Sequence, residues 1–299
     1  MSALIREYEA DSPLWKKYPE FTHAERERMR QLGALDRQVV HELAFRDAQE
    51  VPAGAPCVYL ATAGAPAAGK TTLLEQELHE NPRYAGAVRT DPDVYAMRSM
   101  VHTYHDFLMS PRFAVTASSH RVAQRRAYDV ARAWSNVLAN EVLNAAFAGR
   151  YHIAHGTTLT GDGVPALLSG MRASGREVDL LLCYATDDVR LEAVQRRELQ
   201  GNYQADPEDV RNKGRLFPTR FPVYFEHADN LTLFWRPAAA ASAVRAATYA
   251  QGKRNVLDPV AFQAFVEQFD SARKTLGGQP NCPPLFGELE ARFAARFKQ

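Results

Sequence analysis

The 299-residue sequence predicts an α/β fold: a doubly wound parallel sheet of about five strands, flanked by helices, with extra helices at both ends. Three observations predict it. Short apolar runs of strand length alternate with segments of helical spacing along most of the chain. The run Val178–Ala185 is apolar almost throughout, the pattern of a parallel strand covered on both faces. At residues 61–72 a glycine-bearing turn joins an apolar run to a helical one, the place where open α/β sheets hold ligands.

The elements follow in order. Thr22 with Glu25 forms a capping box, and Met29, Leu32, Leu35, Val39 and Leu43 recur at helical spacing, so residues 23–49 read as one or two helices. Val51–Pro56 is punctuation before a first strand at Cys57–Ala61. Thr72–Leu78 has helical spacing and Asn81-Pro82 ends it. Tyr84–Arg89 gives a short second strand that runs into Asp91-Pro92-Asp93. Residues 111–148 are helix-rich and close at Gly149, a C-terminal cap glycine. Arg121, Arg125, Arg126 and Arg132 in that stretch read as a solvated face. Tyr151–His155 is the third strand, Val164–Ser174 a helix and Val178–Ala185 the fourth strand. Thr186 caps a helix to about Leu199, with Asp187 and Asp188 in its first turn. A basic segment with Arg211, Lys213, Arg215 and Arg220 precedes a fifth strand at Leu231–Arg236. The rest reads as helix at 238–250, 259–276 and 285–297. The expected organisation is an N-terminal helical extension over 1–50, a core with a lid over 51–240, and a C-terminal helical part packed on the core over 241–299.

Composition narrows the class. The 46% of hydrophobic residues suffices for a substantial core, and a net charge of +1 gives no reason to invoke nucleic acid. Three cysteines, two of them in strand-like apolar runs, suit a reducing cytoplasmic setting. No apolar run approaches the ~18 residues a membrane span needs, and the N-terminus lacks the apolar centre of a signal peptide. An export signal read by specialised machinery would not show in the sequence.

The stretch Gly64-Ala-Pro-Ala-Ala-Gly-Lys-Thr71 is G-x-x-x-x-G-K-T, a P-loop (Walker A) signature, which makes the expected sheet one of P-loop NTPase type. Its glycines allow a backbone path that side chains block. Successive amides of Gly64, Ala65, Ala67, Ala68, Gly69, Lys70, Thr71 and Thr72, with the helix N-terminus, then bind phosphate oxygens. Lys70 reaches the β- and γ-phosphates and the Thr71 hydroxyl takes a place on Mg²⁺. No strand ends in the Asp of a Walker B motif, and the guanine-reading N-K-x-D is absent. Asp91 and Asp93 instead leave the second strand, placed for phosphate, metal or an acceptor hydroxyl. A helix cap is the plainer reading of an Asp there. A third strand beside the P-loop strand puts His155 and Thr157 at the active edge. This suits a small-molecule kinase: Lys70, Mg²⁺ and lid arginines neutralise the γ-phosphoryl charge, and an Asp accepts the hydroxyl proton. The helix around Arg196 and the segment around Arg215 are the lid candidates, since an arginine fork pairs with two phosphate oxygens.

At this point the sequence resembles the zeta-toxin-like P-loop kinases over residues 56–236. The shared elements are the P-loop, Asp91-Pro-Asp93, Tyr151-His-Ile-Ala-His-Gly-Thr-Thr158, Gly175-Arg-Glu-Val-Asp-Leu, Gln195-Arg-Arg-Glu198, and Gly214-Arg215 before Pro218. The resemblance implies ATP- or GTP-dependent phosphorylation of a nucleotide-sugar hydroxyl, UDP-N-acetylglucosamine being the best-known acceptor. It implies that Asp93 is the base and that Arg196 and Arg215 clamp phosphate, with Arg197 and Arg211 as alternatives one register away. Asp91, His155, Thr157 and Arg197 then fall on the acceptor side. Relatives carry an acid after the third strand where this chain has His155-Gly156-Thr157, which opens the identity of the acceptor. A related branch of bacterial effectors phosphorylates NAD on its adenosine ribose. A polynucleotide 5′-kinase and a non-catalytic nucleotide-binding protein are the other classes. An antitoxin or chaperone-like inhibitor protein is the implied partner.

Overall fold

The structure, a computed structural model, describes residues 22–104, 120–199, 206–277 and 282–298. The chain divides into two compact units. One draws on the described residues of Met1–Gln49 and Gly86–Gly149, the other on Glu50–Ala85 and Arg150–Gln299.

The larger unit is built on β1 (Val58–Ala63), β3 (Ile153–His155), β4 (Glu177–Tyr184), β5 (Asn230–Trp235), β6 (Val244–Ala250) and β7 (Lys253–Val256), in the order β3-β1-β4-β5-β6-β7. The first four in that order run parallel and β6 and β7 return antiparallel. β1 is buried along its whole length and β4 everywhere but Glu177, as expected of strands with both faces covered. The one charge inside β4, Asp179, accepts from Arg83 Nε (3.0 Å), the Tyr84 hydroxyl (3.0 Å) and Asn230 Nδ2 (2.6 Å), which meets the cost of burying it. Its helices are α2 (Lys70–Glu80), α4 (Val164–Ala173), α5 (Asp187–Leu199), α6 (Pro207–Thr219), α7 (Phe221–His227), α8 (Pro259–Thr275) and α9 (Phe286–Arg296). α8 packs on β5 and β6, and an aromatic core of Phe217, Phe221, Phe225, Phe265, Phe269 and Phe293 joins α6, α7, α8 and α9. Phe221 lies 4.7 Å from Phe269 between ring centroids, an edge-tilted contact of the kind aromatic quadrupoles favour.

The smaller unit holds α1 (His23–Phe45), β2 (Val88–Thr90), a π-helical turn (Pro92–Ala96), a 3₁₀ turn (Met97–Ser99) and α3 (His120–Ala148). Gly33 lets α1 approach α3: a Cβ there would sit 2.8 Å from the Trp134 ring. Asp36 is fully buried and accepts from the Thr103 amide (2.8 Å), the Thr103 hydroxyl and the His102 amide (2.9 Å). The buried side of α1 therefore runs through Gly33, Asp36 and Val40, while Leu35 and Leu43 are exposed. The expected apolar stripe missed this because a satisfied polar residue and a glycine, not leucines, make the contact. The side chains of Glu25, Met29, Arg121, Arg125 and Arg126 lie outside the described residues.

The sheet class stands, with seven strands among the described residues rather than about five. The helix expected at 238–250 is instead strand β6, paired with β5 and β7. Alanine's helix preference misled there. Thr248 and Tyr249 are good strand residues, and β-pairing with Leu231 and Thr232 overrides a propensity worth only tenths of a kcal/mol per residue.

Candidate active site

The P-loop connects the end of β1 to the start of α2. Gly64 (φ 144°) passes so close to β4 that a Cβ would collide with the Cys183 carbonyl. Ala67 (φ 62°) and Gly69 (φ 103°) also take left-handed backbone, which for alanine costs about 1 kcal/mol. The loop is held at its carbonyls. The Ala65 carbonyl accepts Lys70 Nζ at 2.8 Å, the Ala67 carbonyl accepts an Arg236 terminal nitrogen at 2.7 Å, and the Ala68 carbonyl accepts the Cys183 thiol at 2.7 Å. Burial pushes that thiol up to about 12, against the pull of Lys70 and Arg236, so it is protonated and donates. A trans peptide points its N–H opposite its C=O. Holding the Ala67 and Ala68 carbonyls thus fixes the directions of the Ala68 and Gly69 amides, of which the Ala68 amide makes a long bond to the Ala65 carbonyl at 3.4 Å. Thr71 and Thr72 are exposed in the first turn of α2.

β3 lies beside β1, as expected, and the segment after it is tied to the loop. The Gly64 amide donates to the Thr158 carbonyl at 3.0 Å, and Thr62 Oγ1 both donates to the Thr157 carbonyl (2.8 Å) and accepts the Thr157 amide (3.0 Å). The Thr157 hydroxyl is partly exposed and takes the Leu159 amide at 3.2 Å. His155 is buried, its Nδ1 2.8 Å from the Tyr59 hydroxyl. Burial lowers its pKa from 6.5 to about 4, so the ring is neutral at physiological pH.

The arginines expected in the lid are on α5 and α6 and engage their own helices. Arg196 Nε pairs with Glu192 one turn back at 2.9 Å, and Arg215 bonds to Asn212. Arg196, Arg197 and Arg215 are all exposed. Between these helices the buried Arg190 donates to the carbonyls of Ala185 (3.3 Å) and Val210 (2.6 Å) and pairs with Asp187. A Cβ at position 214 would strike its guanidinium, which gives the glycine before Arg215 its reason.

In the smaller unit, Asp91 and Asp93 follow β2 and do different things. Asp91 is buried and caps the π-helical turn: its Oδ1 accepts the amides of Asp93 (2.7 Å) and Val94 (2.8 Å). Burial raises its carboxyl above the ordinary value, opposed by those two amides. Asp93 is exposed. Its Oδ1 accepts the Tyr128 hydroxyl at 2.6 Å and lies 3.3 Å from Arg132 Nε. The turn itself is doubly bonded, with the Tyr95 and Ala96 amides both reaching the Asp91 carbonyl, a π-type irregularity often found at functional positions.

The family model described as zeta toxin matches residues 42–230, well over half of the chain. The chain belongs to the zeta toxin family. It is a phosphotransferase of the P-loop kinase type. No curated protein gives a significant match. Among solved structures, a crystal structure of the AvrRxo1-ORF1:AvrRxo1-ORF2 pair with sulphate ions aligns with a TM-score of 0.53 at 16% identity, over 97% of this chain and 90% of that one. The same pair with ATP gives 0.53 at 16%, over 93% and 86%. A chain of the PezAT toxin-antitoxin system of Streptococcus pneumoniae gives 0.49 at 14%, over 86% and 96%. At such identity the AvrRxo1 likeness speaks for the fold alone.

The matched region takes in both the P-loop and the two acids. Sequence reasoning missed Arg236, Cys183 and Tyr128, which belong to no local pattern. It read Arg132 as solvated, whereas Arg132 turns to Asp93. The one available signal was its place four residues after Tyr128 on α3, sharing a helix face.

Proposed function

We propose that this zeta-toxin-family kinase transfers the γ-phosphate of ATP, or of GTP, to a sugar hydroxyl of a nucleotide sugar, with UDP-N-acetylglucosamine as the first acceptor to test. The observation that carries the reading is the division of labour between the two acids. Asp91 is spent on the cap, while Asp93 presents an exposed carboxylate fixed by Tyr128 and Arg132. In this reading the P-loop amides and the α2 N-terminus hold the β- and γ-phosphates, and Lys70 neutralises charge that develops on them. Arg196 and Arg215 clamp the transferring group from α5 and α6, with Arg197 and Arg211 as the alternatives. Asp93 orients the acceptor hydroxyl and takes its proton late in transfer. The Thr71 hydroxyl, a hard oxygen donor exposed at the head of α2, fits Mg²⁺. Among the described residues no cluster of three or more His, Cys, Asp or Glu is placed to hold a metal, and Mg²⁺ in such sites takes most ligands from phosphate and water. Held there by the Thr71 hydroxyl, it would offset the negative charge of the triphosphate. The neighbour crystallised with ATP supports ATP as donor.

One observation favours a second acceptor, the adenosine ribose of NAD. The place where family members commonly carry an acid holds His155, buried, neutral and turned to Tyr59, which leaves the acceptor open. We assign His155 to packing and Asp91 to positioning, leaving Thr157 as the acceptor-side group after β3. The two-protein AvrRxo1 complexes support an inhibitor or antitoxin-like partner. No described helix is long and apolar enough to cross a membrane, and we place the activity in the cytoplasm.

The test is incubation of the full chain with γ-labelled ATP or GTP and a panel of UDP-sugars, NAD and oligonucleotides. Label on UDP-N-acetylglucosamine is the expected result. Label on NAD transfers the assignment to the second acceptor. ATP binding without transfer to any acceptor removes the kinase reading of Asp93.

A further inference from the structure

We infer that Arg236, which lies outside the P-loop signature, is a positioning residue for nucleotide binding: it ties the Ala67 carbonyl of the loop to the segment after β5, a bracket that presets the amide that follows it for phosphate. The inference rests on the loop being the nucleotide cradle.

Arg236 follows the last residue of β5 and is partly buried. Its guanidinium spans two segments. One terminal nitrogen donates to the Ala67 carbonyl at 2.7 Å, the other to the Ala239 carbonyl, and Nε to the Ala241 carbonyl at 3.2 Å. Its amide is fixed in turn to the Tyr184 carbonyl at 2.9 Å, so the side chain starts from the sheet. Its aliphatic stem passes where a Cβ on Gly69 would stand 3.8 Å away, ordinary van der Waals contact. All three acceptors are peptide oxygens, and among the described residues no carboxylate pairs with this guanidinium. An arginine that donates to three backbone carbonyls fixes geometry, since its rigid planar fork sets the directions in which its acceptors must lie. The residue it holds, Ala67, has φ 62°, a conformation a non-glycine residue keeps only when its surroundings impose it. The Ala67 carbonyl held by Arg236 and the Ala68 carbonyl held by Cys183 fix the directions of the Ala68 and Gly69 amides that follow them, and the Ala68 amide makes only a long bond, 3.4 Å, to the Ala65 carbonyl. Without the bracket, that long bond alone restrains the Ala67–Ala68 peptide from flipping to present an oxygen where phosphate requires an N–H. The positive charge beside the loop also favours phosphate, so charge and geometry must be separated by experiment.

Three full-length variants do this: Arg236→Met removes both, Arg236→Lys keeps the charge but cannot span three carbonyls, and Arg236→Gln keeps donors without charge. The readouts are dissociation constants for ATP and for inorganic tripolyphosphate, amide hydrogen exchange over residues 64–72, and the melting midpoint. Arg236→Met is expected to weaken both ligands by at least about tenfold, the scale of a lost charge-assisted hydrogen bond, and to speed exchange over 64–72. Arg236→Lys is expected to recover only part of the affinity and to exchange as fast as Arg236→Met. Full recovery of affinity and protection by Arg236→Lys overturns the bracket and leaves a charge effect. Unchanged exchange over 64–72 in folded Arg236→Met overturns it as well. If Arg236→Met does not fold, the Lys and Gln variants decide by the same two measurements. A wild-type chain that binds neither ATP nor tripolyphosphate removes the cradle reading, while the exchange measurement still decides the bracket.

Discussion

The P-loop and the acidic turn after β2 are both short segments at the end of a strand, yet they are held in opposite ways. The loop is fixed mainly through its backbone. Its carbonyls go to Lys70, Arg236 and Cys183, and its first amide goes to Thr158. The acidic turn is fixed through side chains. Asp91 caps it, Tyr128 and Arg132 hold Asp93, and Asp36 secures the segment at 102–103. A segment fixed by its backbone needs residues that permit a path, whereas one fixed by side chains needs particular partners at a distance. Substitutions in the two should therefore fail differently.

The largest effect is expected at Asp93 and Lys70, the residues to which the proposed function gives the proton and the phosphate charge. Asp93→Asn should lower transfer by about a thousandfold while leaving ATP binding intact, because only the proton acceptor is lost. Lys70→Ala should lower transfer by a similar factor and also weaken ATP. Single-turnover rates alongside nucleotide titrations check both. Wild-type transfer in Asp93→Asn would move the base to another residue and end the contrast drawn above between Asp91 and Asp93.

Next in size is Gly64→Ala. The added Cβ meets the Cys183 carbonyl at a φ that alanine avoids, and neither backbone can yield cheaply. A loss of about 2–3 kcal/mol in urea unfolding is expected, with ATP binding lost beyond what the stability change explains. An unaffected Gly64→Ala would mean that the backbone path is looser than the carbonyl contacts indicate.

These differences also explain how much could be read beforehand. The P-loop was legible because its requirement is local: two glycines, a lysine and a threonine in eight consecutive positions. The sheet was legible from apolar runs such as Val178–Ala185. The β6–β7 hairpin was not, since alanine-rich sequence carries a helix signal that strand pairing overrode. Nor was the buried side of α1, where Asp36 draws its support from residues 66 and 67 positions on. Tyr128 and Arg236 were invisible for the same reason: each acts on a group 35 or 169 residues away. His155 was placed on the correct strand, but its direction toward Tyr59 depends on a register that the sequence does not state.

His155 yields a pH prediction. It titrates near 6.5 when solvated and near 4 in the fold. Above pH 6.5 both states hold it neutral and pH has no leverage through it. Below 6.5 the unfolded chain takes up a proton that the fold refuses, so stability drops progressively toward pH 4. Between pH 7 and pH 5 the loss should be about 2 kcal/mol. Comparing urea midpoints at the two pH values in wild type and His155→Gln isolates this share from other histidines. An equal pH dependence in both proteins would show that His155 is not the buried neutral ring described.

The smallest effect sharpens the comparison most. Tyr128→Phe removes one hydroxyl from Asp93 and leaves Arg132 in place, so it tests whether side-chain fixation of the carboxylate contributes to transfer. One hydrogen bond to a charged group is worth on the order of 1–2 kcal/mol, so transfer should fall by about tenfold with ATP affinity unchanged. The melting midpoint discriminates further. A slower enzyme with an unchanged midpoint is the expected result, while a slower enzyme with a matching loss of stability would mean that Tyr128 supports α3 and not the base. Wild-type transfer in Tyr128→Phe would mean that Arg132 alone keeps Asp93 aimed.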